Sequence, residues 1–278
     1  MSDKEKNTAI RKPGSASSPY WRKVHYKNIW RSNLPFETRY QLTRNLFQGK
    51  EAFIFAGGPS LRQVNIEAMR PELENSFVAC IKQSVDVVGD VCDALVMNFC
   101  NFSAYDWPSI DSPTFWATFD PSHPELIRKK GAHCNATFEV IENGTNDAKG
   151  FAKSTAGKGF WENLRKFEDG KVRWGPGLMY ELAIPLALHS GVKHIHLVGW
   201  DIGTLNTETS EAFLNEHFYE NQKVEMKAKI TNLEIETVAK STKNLQDWLA
   251  NEGVGLSVVS DRSLVSPSVP RVDRWLKS

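Results

Sequence analysis

The residues best suited to chemistry begin with a glycine turn, Gly57-Gly58-Pro59-Ser60, which follows the apolar run 52–56. The run is short enough for one buried strand, and a helix-compatible stretch follows it. A strand that leads through glycines into a helix presents backbone N–H groups to a phosphate, and glycine lets the chain approach a ligand closely. Ser60 is a natural helix N-cap. A plain tight turn fits the same pattern, so both interpretations stay open.

Polar residues also follow the next apolar runs. Lys82 and Gln83 follow the run 76–81, and Asn98 ends the run 93–98. Strands that alternate with helical segments predict a parallel sheet, in which ligands bind at the carboxyl ends of the strands. Gly57, Lys82 and Asn98 are therefore expected at one shared site.

The second half of the chain contains a second glycine-rich entry into a helix. Arg173-Trp174-Gly175-Pro176-Gly177 opens the apolar helix 178–189, where Pro185 predicts a kink. Trp200 and Asp201 follow the strand 194–198, and Ser263 follows the strand 255–259. These residues are expected at the same edge of the sheet, where backbone N–H groups at a helix start can meet an anion.

Histidines and cysteines are the candidate acid–base and metal groups. His217 lies in a polar stretch, 204–223, which we interpret as a lid, and its imidazole can titrate near neutral pH as a general base. A lid histidine without a chemical role is the alternative. His194 and His196 share one face of a strand, but no third ligand lies near, which favours structural histidines. The four cysteines form no CxxC pair, so no metal site is expected.

Composition limits the function classes. The chain has 278 residues, 41% hydrophobic and 24% charged, and a net charge of +1, which gives no electrostatic case for nucleic-acid binding. The polar stretch 1–18 predicts a disordered tail and lacks the apolar core of a signal peptide. The expected location is cytoplasmic, with reduced thiols.

Residues 19–50 form a basic and aromatic arm. Trp21, Trp30 and Phe47 alternate with lysines and arginines, and Glu37 is the only acid there. Packing of the rings on the domain, with the charges in solvent, is the favoured interpretation. Peripheral contact with an anionic membrane or an acidic acceptor is the alternative.

The predicted fold is α/β: a Rossmann-like, doubly wound, mostly parallel sheet over residues 51–271. It carries the lid at about 204–223, a long helix over 224–251 and the arm, and the tail 272–278 follows. Residues 143–171 predict a long loop with a short helix at 160–167. The segment 266–278, with two prolines, is expected to run over the surface.

The order of these motifs resembles a known group. The motifs are, in order, a strand followed by Gly-Pro-Ser-Leu, a strand ending in Asn98, Arg173 before an apolar helix, Gly199-Trp200-Asp201 and a terminal Ser263-Leu264. This order is similar to that of bacterial lipooligosaccharide sialyltransferases that use CMP-sialic acid. Motility-accessory flagellin glycosylation proteins and archaeal 6-hydroxymethylpterin diphosphokinases share the pattern. The resemblance covers residues 50–271 and implies a Rossmann-type domain.

The resemblance also implies site roles. It implies that Gly57, Gly58, Pro59 and Ser60 form a phosphate-holding turn and that Gln83 and Asn98 place amides near the nucleotide and sugar. It implies a donor cradle formed by Arg173, Gly175 and Gly177. It also implies an acidic strand end at Asp201 with Trp200 and a nucleotide-contacting turn at Ser263. Lys82 stands where the family has asparagine, and Gly175-Pro176 replaces hydroxyl residues. The family's base histidine falls near Thr237 here, about twenty residues after His217, and Tyr219 is the nearest match to its leaving-group tyrosines.

Three functions follow from these observations. The first is an inverting, metal-independent glycosyltransferase with a CMP-linked sugar donor and a cell-surface glycan or lipid-linked acceptor, as in lipopolysaccharide biosynthesis. Its catalytic residues are His217, Arg173 and Asp201, and it needs no cofactor. The second is a diphosphotransferase that uses ATP and magnesium held by carboxylates such as Asp120, Asp201 and Asp261. The third is a nucleotide-binding protein without catalysis.

Overall fold

The computed structural model describes residues 20–98, 105–120, 122–141, 155, 160–162, 170–173, 177–203, 211–213 and 229–277. The helices are α1 (Trp21–Arg31), α2 (Phe36–Thr43), α3 (Ile66–Asn75), α4 (Val85–Val88), α5 (His123–Lys129), α6 (Ile184–His189) and α7 (Asn232–Asn251). Short 3-10 helices cover Pro59–Gln63, Lys82–Ser84 and Trp107–Ser109, and a π-helix covers Met179–Ala183. The strands are β1 (Glu51–Phe55), β2 (Phe77–Ile81), β3 (Ala94–Asn98), β4 (Thr114–Thr118), β5 (Ala136–Ile141), β6 (Lys171–Arg173), β7 (His194–Val198), β8 (Glu211–Phe213), β9 (Lys229–Thr231) and β10 (Gly255–Val259).

Eight of these strands form one parallel sheet in the order β10-β7-β1-β2-β3-β4-β5-β6. The chain builds outward from β1 to β6, then returns to the other side of β1 with β7 and β10. The direction of winding therefore reverses between β1 and β7, which is the position where open α/β sheets bind ligands. The α/β, Rossmann-like prediction is confirmed, and β8 and β9 form a separate antiparallel pair.

Helices cover both faces of the sheet. Alternate strand residues such as Ile54 and Val96 belong to a core shared with α1, α6 and α7, while Phe53 and Leu95 belong to a second core shared with α3. Because both faces are buried, the strands β1, β2, β3 and β4 have almost no polar side, which explains why they are continuous apolar runs in the sequence.

The N-terminal arm packs on the domain. Tyr26, Trp30 and Phe47 are buried in the first core, and Trp30 meets Phe115 edge-on with ring centroids 4.9 Å apart. The basic residues of α1 make specific contacts: Lys23 Nζ lies 2.5 Å from Asp93 Oδ2, with both side chains buried. Lys27 and Arg31 both pair with Asp111. The packing interpretation of the arm is confirmed, although several cations are paired with acids rather than left in solvent.

Three sequence predictions need correction. The turn after β1 leads into a 3-10 helix and then α3, whose N-cap is Asn65, so Ser60 is not a helix cap. The long helix begins at Asn232 rather than 224, because residues 229–231 form β9. Pro185 does not simply kink an α-helix: the turn before it widens to a π-helix, a common response to an interrupted ladder of i→i−4 bonds.

The C-terminal segment does more than run over the surface. Trp275 is 2% exposed and packs edge-on against Phe53 and His196, with ring centroids 5.3 Å away in each case. Its carbonyl accepts a hydrogen bond from Asn65 N at 2.7 Å. This segment therefore covers the second core. Within the described ranges, no helix has the length and apolar character needed to cross a membrane.

Candidate functional site

The carboxyl ends of β10, β7, β1, β2 and β3 lie side by side at one edge of the sheet. This edge carries most of the residues singled out from the sequence. The turn 57–60 follows β1, Lys82 and Gln83 follow β2, Asn98 ends β3, and Trp200 and Asp201 follow β7. Because parallel strands end at a common edge, the topology brings these segments together as the sequence predicted.

Asp201 joins three of the loops at this edge. Its carboxylate is buried, and Oδ2 accepts a hydrogen bond from Ser60 N at 2.8 Å. Its other oxygen, Oδ1, accepts one from Ser260 Oγ at 2.9 Å. The two bonds tie the loop after β7 to the loops after β1 and β10. Both carboxylate oxygens thus have structural partners, which fits a positioning role for Asp201.

Gly58 allows the loops to approach this closely. Its N–H donates to the Gly199 carbonyl at 2.8 Å. A Cβ at position 58 would lie 2.4 Å from the Gly199 oxygen and 2.6 Å from Asp201 Oδ2. Any other side chain would force the two loops apart, since neither contact can be made by real Cβ atoms.

The loop after β10 belongs to the same arrangement. Ser263 N donates to Ser260 Oγ at 3.0 Å, and Ser263 Oγ donates to the Trp200 carbonyl at 2.5 Å. The Arg271 guanidinium donates hydrogen bonds to the Ser263 and Val265 carbonyls, which holds the later part of this loop in place. We call Gly58, Gly199, Asp201, Ser260 and Ser263 the bonded cluster.

The bonded cluster changes the expected role of the glycine turn. The N–H groups of Gly58 and Ser60 were expected to face a phosphate, but they donate to Gly199 and Asp201 instead. Gly58 is thus explained by the close packing of two loops. At position 60, the side chain of Ser60 is therefore the group that can still bind a ligand, because its N–H group is already bonded.

Three buried oxygens beside the cluster have no hydrogen-bond partner among the described residues. They are Ser60 Oγ after β1, Gln83 Oε1 after β2 and Asn98 Oδ1 at the end of β3. Ser60 is fully buried and Gln83 is 9% exposed. Other buried polar atoms without a partner, such as Trp30 Nε1 and Asp93 Oδ1, lie in or beside the packed core, whereas these three oxygens stand on adjacent strand ends at the carboxyl edge of the sheet. We call these oxygens the unsatisfied row.

The loop after β2 is held in place by a hydrogen bond to the end of β1. The Ser84 hydroxyl donates to the Phe55 carbonyl at 2.8 Å, which links this loop to the end of β1. Lys82 has a φ of 53°, a left-handed conformation that is costly for residues other than glycine. Ile202, directly after Asp201, has a φ of 69°. Such strain persists only where the surrounding structure enforces it, and it concentrates at functional sites.

Several predicted site residues lie elsewhere or outside the described residues. Arg173 ends β6, at the opposite end of the sheet from β10, and only its backbone is described. Gly177 precedes the π-helix with a φ of 105°. Gly175, His217 and most of the predicted lid fall outside the described residues, so their roles stay predictions.

The two histidines of β7 form a structural group. His196 Nδ1 lies 2.6 Å and His194 Nε2 3.0 Å from the same Ser257 hydroxyl. Burial, together with the neighbouring His194 and Arg274, lowers the pKa of His196 to about 3. His196 is therefore neutral in the fold. Within the described ranges, no group of three or more His, Cys, Asp or Glu residues is arranged to hold a metal ion.

Sequence reasoning missed Ser260 and Ser84, which hold the loops after β10 and β2. Both are serines directly or closely after a strand, where a hydroxyl can bond a neighbouring loop. That signal is too common to single them out. Asp120, a proposed magnesium ligand of the alternative function, accepts hydrogen bonds from Ser122 just before α5.

Comparison with known proteins finds two solved structures with low similarity to this one. No protein-family model matches the sequence, and no curated protein matches it. The structure is similar to that of a Maf glycosyltransferase from Magnetospirillum magneticum AMB-1, with 11% identity and a TM-score of 0.48. That match covers 92% of this chain but only 38% of the Maf chain.

A second similar structure is the sialyltransferase CstII from Campylobacter jejuni in complex with the substrate analogue cytidine 5′-monophosphate. It is 16% identical with a TM-score of 0.43, and the match covers 83% of this chain and 88% of that one. Likeness at this level does not establish an activity, so a functional conclusion has to come from the residues at the edge of the sheet.

Proposed function

We propose that the chain is an inverting, metal-independent glycosyltransferase that uses a CMP-linked sugar donor and a cell-surface glycan or lipid-linked acceptor. The observation that carries the proposal is the unsatisfied row beside the point where the sheet reverses its winding. A hydroxyl and two amide oxygens suit the hydroxyl and amino groups of a nucleotide better than an apolar ligand. The choice of a CMP-linked sugar comes from the sequence resemblance.

In the proposed reaction, the acceptor hydroxyl attacks the anomeric carbon while the bond from that carbon to the phosphate oxygen breaks. His217 takes the proton of the attacking hydroxyl, and CMP leaves with the electron pair. Lys82, directly after β2, offsets the charge of the leaving phosphate, whereas Arg173 ends β6, five strands from β1, and takes no part in this step. Asp201 acts indirectly, by holding the turn that carries Ser60. No step calls for a metal ion or another cofactor.

The ATP-dependent alternative is less well supported. Asp201 uses both carboxylate oxygens within the bonded cluster, and Asp120 is bonded to Ser122. A magnesium site needs several oxygen ligands around one ion. Asp201 follows β7 and Asp120 follows β4, which lie four strands apart in the sheet, so these two carboxylates do not meet at one ion and the glycosyltransferase is the favoured function.

Nucleotide binding is the first test. Thermal melting should show stabilisation by CMP or CDP in the presence of EDTA. A shift with ATP that requires magnesium would instead favour the diphosphotransferase. No shift with any nucleotide would contradict both enzymes.

A pair of amide variants tests the location. Asn98→Leu removes an unsatisfied oxygen, so it should leave the melting temperature unchanged and weaken CMP binding by about tenfold, the value of roughly one hydrogen bond. Asn135 is the matched control, because its amide bonds Thr114 N and the Trp30 carbonyl. Asn135→Leu should lower the melting temperature and spare CMP affinity. Equal CMP affinity in Asn98→Leu and wild type would show that the unsatisfied row does not bind the nucleotide.

The base is tested separately. His217→Ala should abolish transfer to the acceptor while CMP binding stays unchanged. Turnover at the wild-type rate would exclude His217 as the base.

A further inference from the structure

The segment 270–277 crosses the sheet on the side of the second core and ends beside the turn that carries Ser60. It first pairs with the outer edge of β10, where two backbone hydrogen bonds of 3.0 and 2.9 Å join it to Val258. It then packs Trp275 edge-on against aromatic rings of β7 and β1. We call the segment 270–277 the strap.

The strap ends on the 3-10 helix Pro59–Gln63, which includes Ser60. Lys277 N donates to the Gln63 carbonyl at 2.7 Å, and Lys277 Nζ donates to the Arg62 carbonyl at 2.8 Å. The last carbonyl groups of a helix have no partner within it, and a lysine is a common donor to them. Lys277 therefore closes the end of this short helix.

The strap also holds the chain directly after this helix. Val64 and Leu276 form an isolated antiparallel bridge, and Asn65 N donates to the Trp275 carbonyl at 2.7 Å. Asn65 is the N-cap of α3, so the strap lies at the junction between the two helices. A 3-10 helix of five residues has little stability of its own, because its first turn costs more entropy than one hydrogen bond offsets. Contacts from outside therefore set its position.

These contacts hold the 3-10 helix at both of its ends. Near its start, the Ser60 N–H group donates to Asp201 of the bonded cluster, and at its end the strap bonds the carbonyls of Arg62 and Gln63. The Ser60 hydroxyl of the unsatisfied row lies in the chain between these two attachments. The bonded cluster alone therefore does not fix where this hydroxyl stands.

We propose that the strap, through Lys277, positions the Ser60 hydroxyl to bind the nucleotide. This inference rests on the proposed function and adds a positioning residue to it. Lys277 acts through the backbone of the 3-10 helix and does not itself contact the nucleotide. Loosening the strap is therefore expected to weaken CMP binding only as far as the Ser60 hydroxyl contributes to that binding.

Substitution of Lys277 tests the inference in the full chain. Lys277→Pro removes both donors, the ammonium and the N–H group. Calorimetric titration should show CMP binding weakened by about two- to tenfold, at most the loss expected for one hydrogen bond. Hydrogen exchange measured by mass spectrometry should become faster within residues 60–65. Lys277→Arg keeps a cationic donor and the N–H group, so it should bind CMP as the wild type does.

Gln246→Ala is the matched control. The Gln246 amide donates to the Ser268 carbonyl at 2.9 Å, so it attaches the stretch just before the strap to α7 rather than to the 3-10 helix. Gln246→Ala should change neither the CMP affinity nor the exchange within residues 60–65. A loss of CMP affinity equal to that of Lys277→Pro would overturn the inference, because any loosening of this stretch would then have the same effect.

A double-mutant cycle decides whether Lys277 acts through Ser60. In the Ser60→Ala background, Lys277→Pro should weaken CMP binding no further, because the hydroxyl that it positions is gone. Lys277→Met, which loses only the ammonium, gives the same cycle if the proline variant does not fold. Additive losses in a chain that binds CMP would overturn the inference and leave the proposed function standing. If the wild type binds no CMP, the proposed function fails and the inference fails with it.

Discussion

The bonded cluster and the unsatisfied row lie next to each other at one edge of the sheet and differ in how their polar groups are satisfied. In the bonded cluster, both Asp201 oxygens and the N–H groups of Gly58 and Ser60 have partners within 2.9 Å. In the row, the oxygens of Ser60, Gln83 and Asn98 have none among the described residues. Ser60 links the two, because its N–H group donates to Asp201 of the bonded cluster and its hydroxyl is part of the unsatisfied row.

The difference shows how the carboxyl edge of the sheet can be held rigid and still bind a ligand. A buried polar atom without a partner costs about 1–3 kcal/mol, so a ligand that bonds several of them recovers part of this cost on binding. The bonded cluster fixes the loops that carry these atoms, which reduces the entropy lost when a ligand is bound. The following predictions test whether the two sets of residues have these separate roles.

The largest expected effect is acid destabilisation of the strand beneath the bonded cluster. Burial, together with His194 and Arg274, lowers the pKa of His196 in β7 from 6.5 to about 3, although Glu51 Oε2 lies 3.5 Å from its Nε2. The unfolded chain therefore binds a proton more readily. His196 therefore costs the fold no stability above about pH 6.5, and the free energy of unfolding decreases as the pH falls from 6.5 toward 3. Linkage gives a loss of about 4–5 kcal/mol, measurable by urea denaturation across this range.

Two glutamine variants separate this effect from other titrating groups. His196→Gln cannot be protonated, so its stability should depend less on pH between 6.5 and 4 than that of the wild type. His25 is exposed on α1, and His25→Gln should keep the wild-type dependence. Identical pH profiles for wild type and His196→Gln would show that His196 does not titrate below the unfolded value.

Substitution of Gly58 is expected to disrupt the bonded cluster directly. Gly58→Ala places a Cβ within 2.6 Å of both the Gly199 oxygen and Asp201 Oδ2, so a backbone has to move. We expect a loss of about 3 kcal/mol in the free energy of unfolding, measured by denaturant titration. In the control, Gly253→Ala, the new Cβ meets nothing within 4 Å, and only the cost of a left-handed φ of 73° remains, about 1 kcal/mol. Similar losses in both variants would contradict close loop packing.

Asp201→Asn distinguishes a positioning role from a catalytic one. One oxygen of the carboxylate becomes an NH₂ group, which cannot accept from Ser60 N or Ser260 Oγ. We expect a loss of about 2 kcal/mol in unfolding free energy and a matching drop in nucleotide affinity. Denaturation and calorimetry on the same preparation measure both. Wild-type stability with abolished turnover would show that Asp201 acts in the chemistry instead.

The sheet was largely predictable from the sequence. Strands buried on both faces appear as apolar runs, so β1, β2, β3, β7 and β10 could be identified, and their polar ends predicted one shared edge. The roles of single atoms could not be predicted. Ser60 seemed a helix cap because a helix was expected at once, whereas Asp201, 141 residues later, accepts its N–H bond. Such a contact depends on strand order, which local patterns do not contain.

The smallest expected effect compares two fully buried serines at this edge. The Ser84 hydroxyl donates to the Phe55 carbonyl at 2.8 Å and the Ile81 carbonyl at 3.0 Å, whereas the Ser60 hydroxyl has no partner among the described residues. Ser84→Ala should therefore lower the free energy of unfolding by about 1 kcal/mol, and Ser60→Ala should change it by less than about 0.5 kcal/mol. Binding should show the reverse order: Ser60→Ala weakens CMP binding and Ser84→Ala does not. Equal stability losses in the two variants would mean that the Ser60 hydroxyl is already satisfied within the fold, and the contrast between the bonded cluster and the unsatisfied row would disappear.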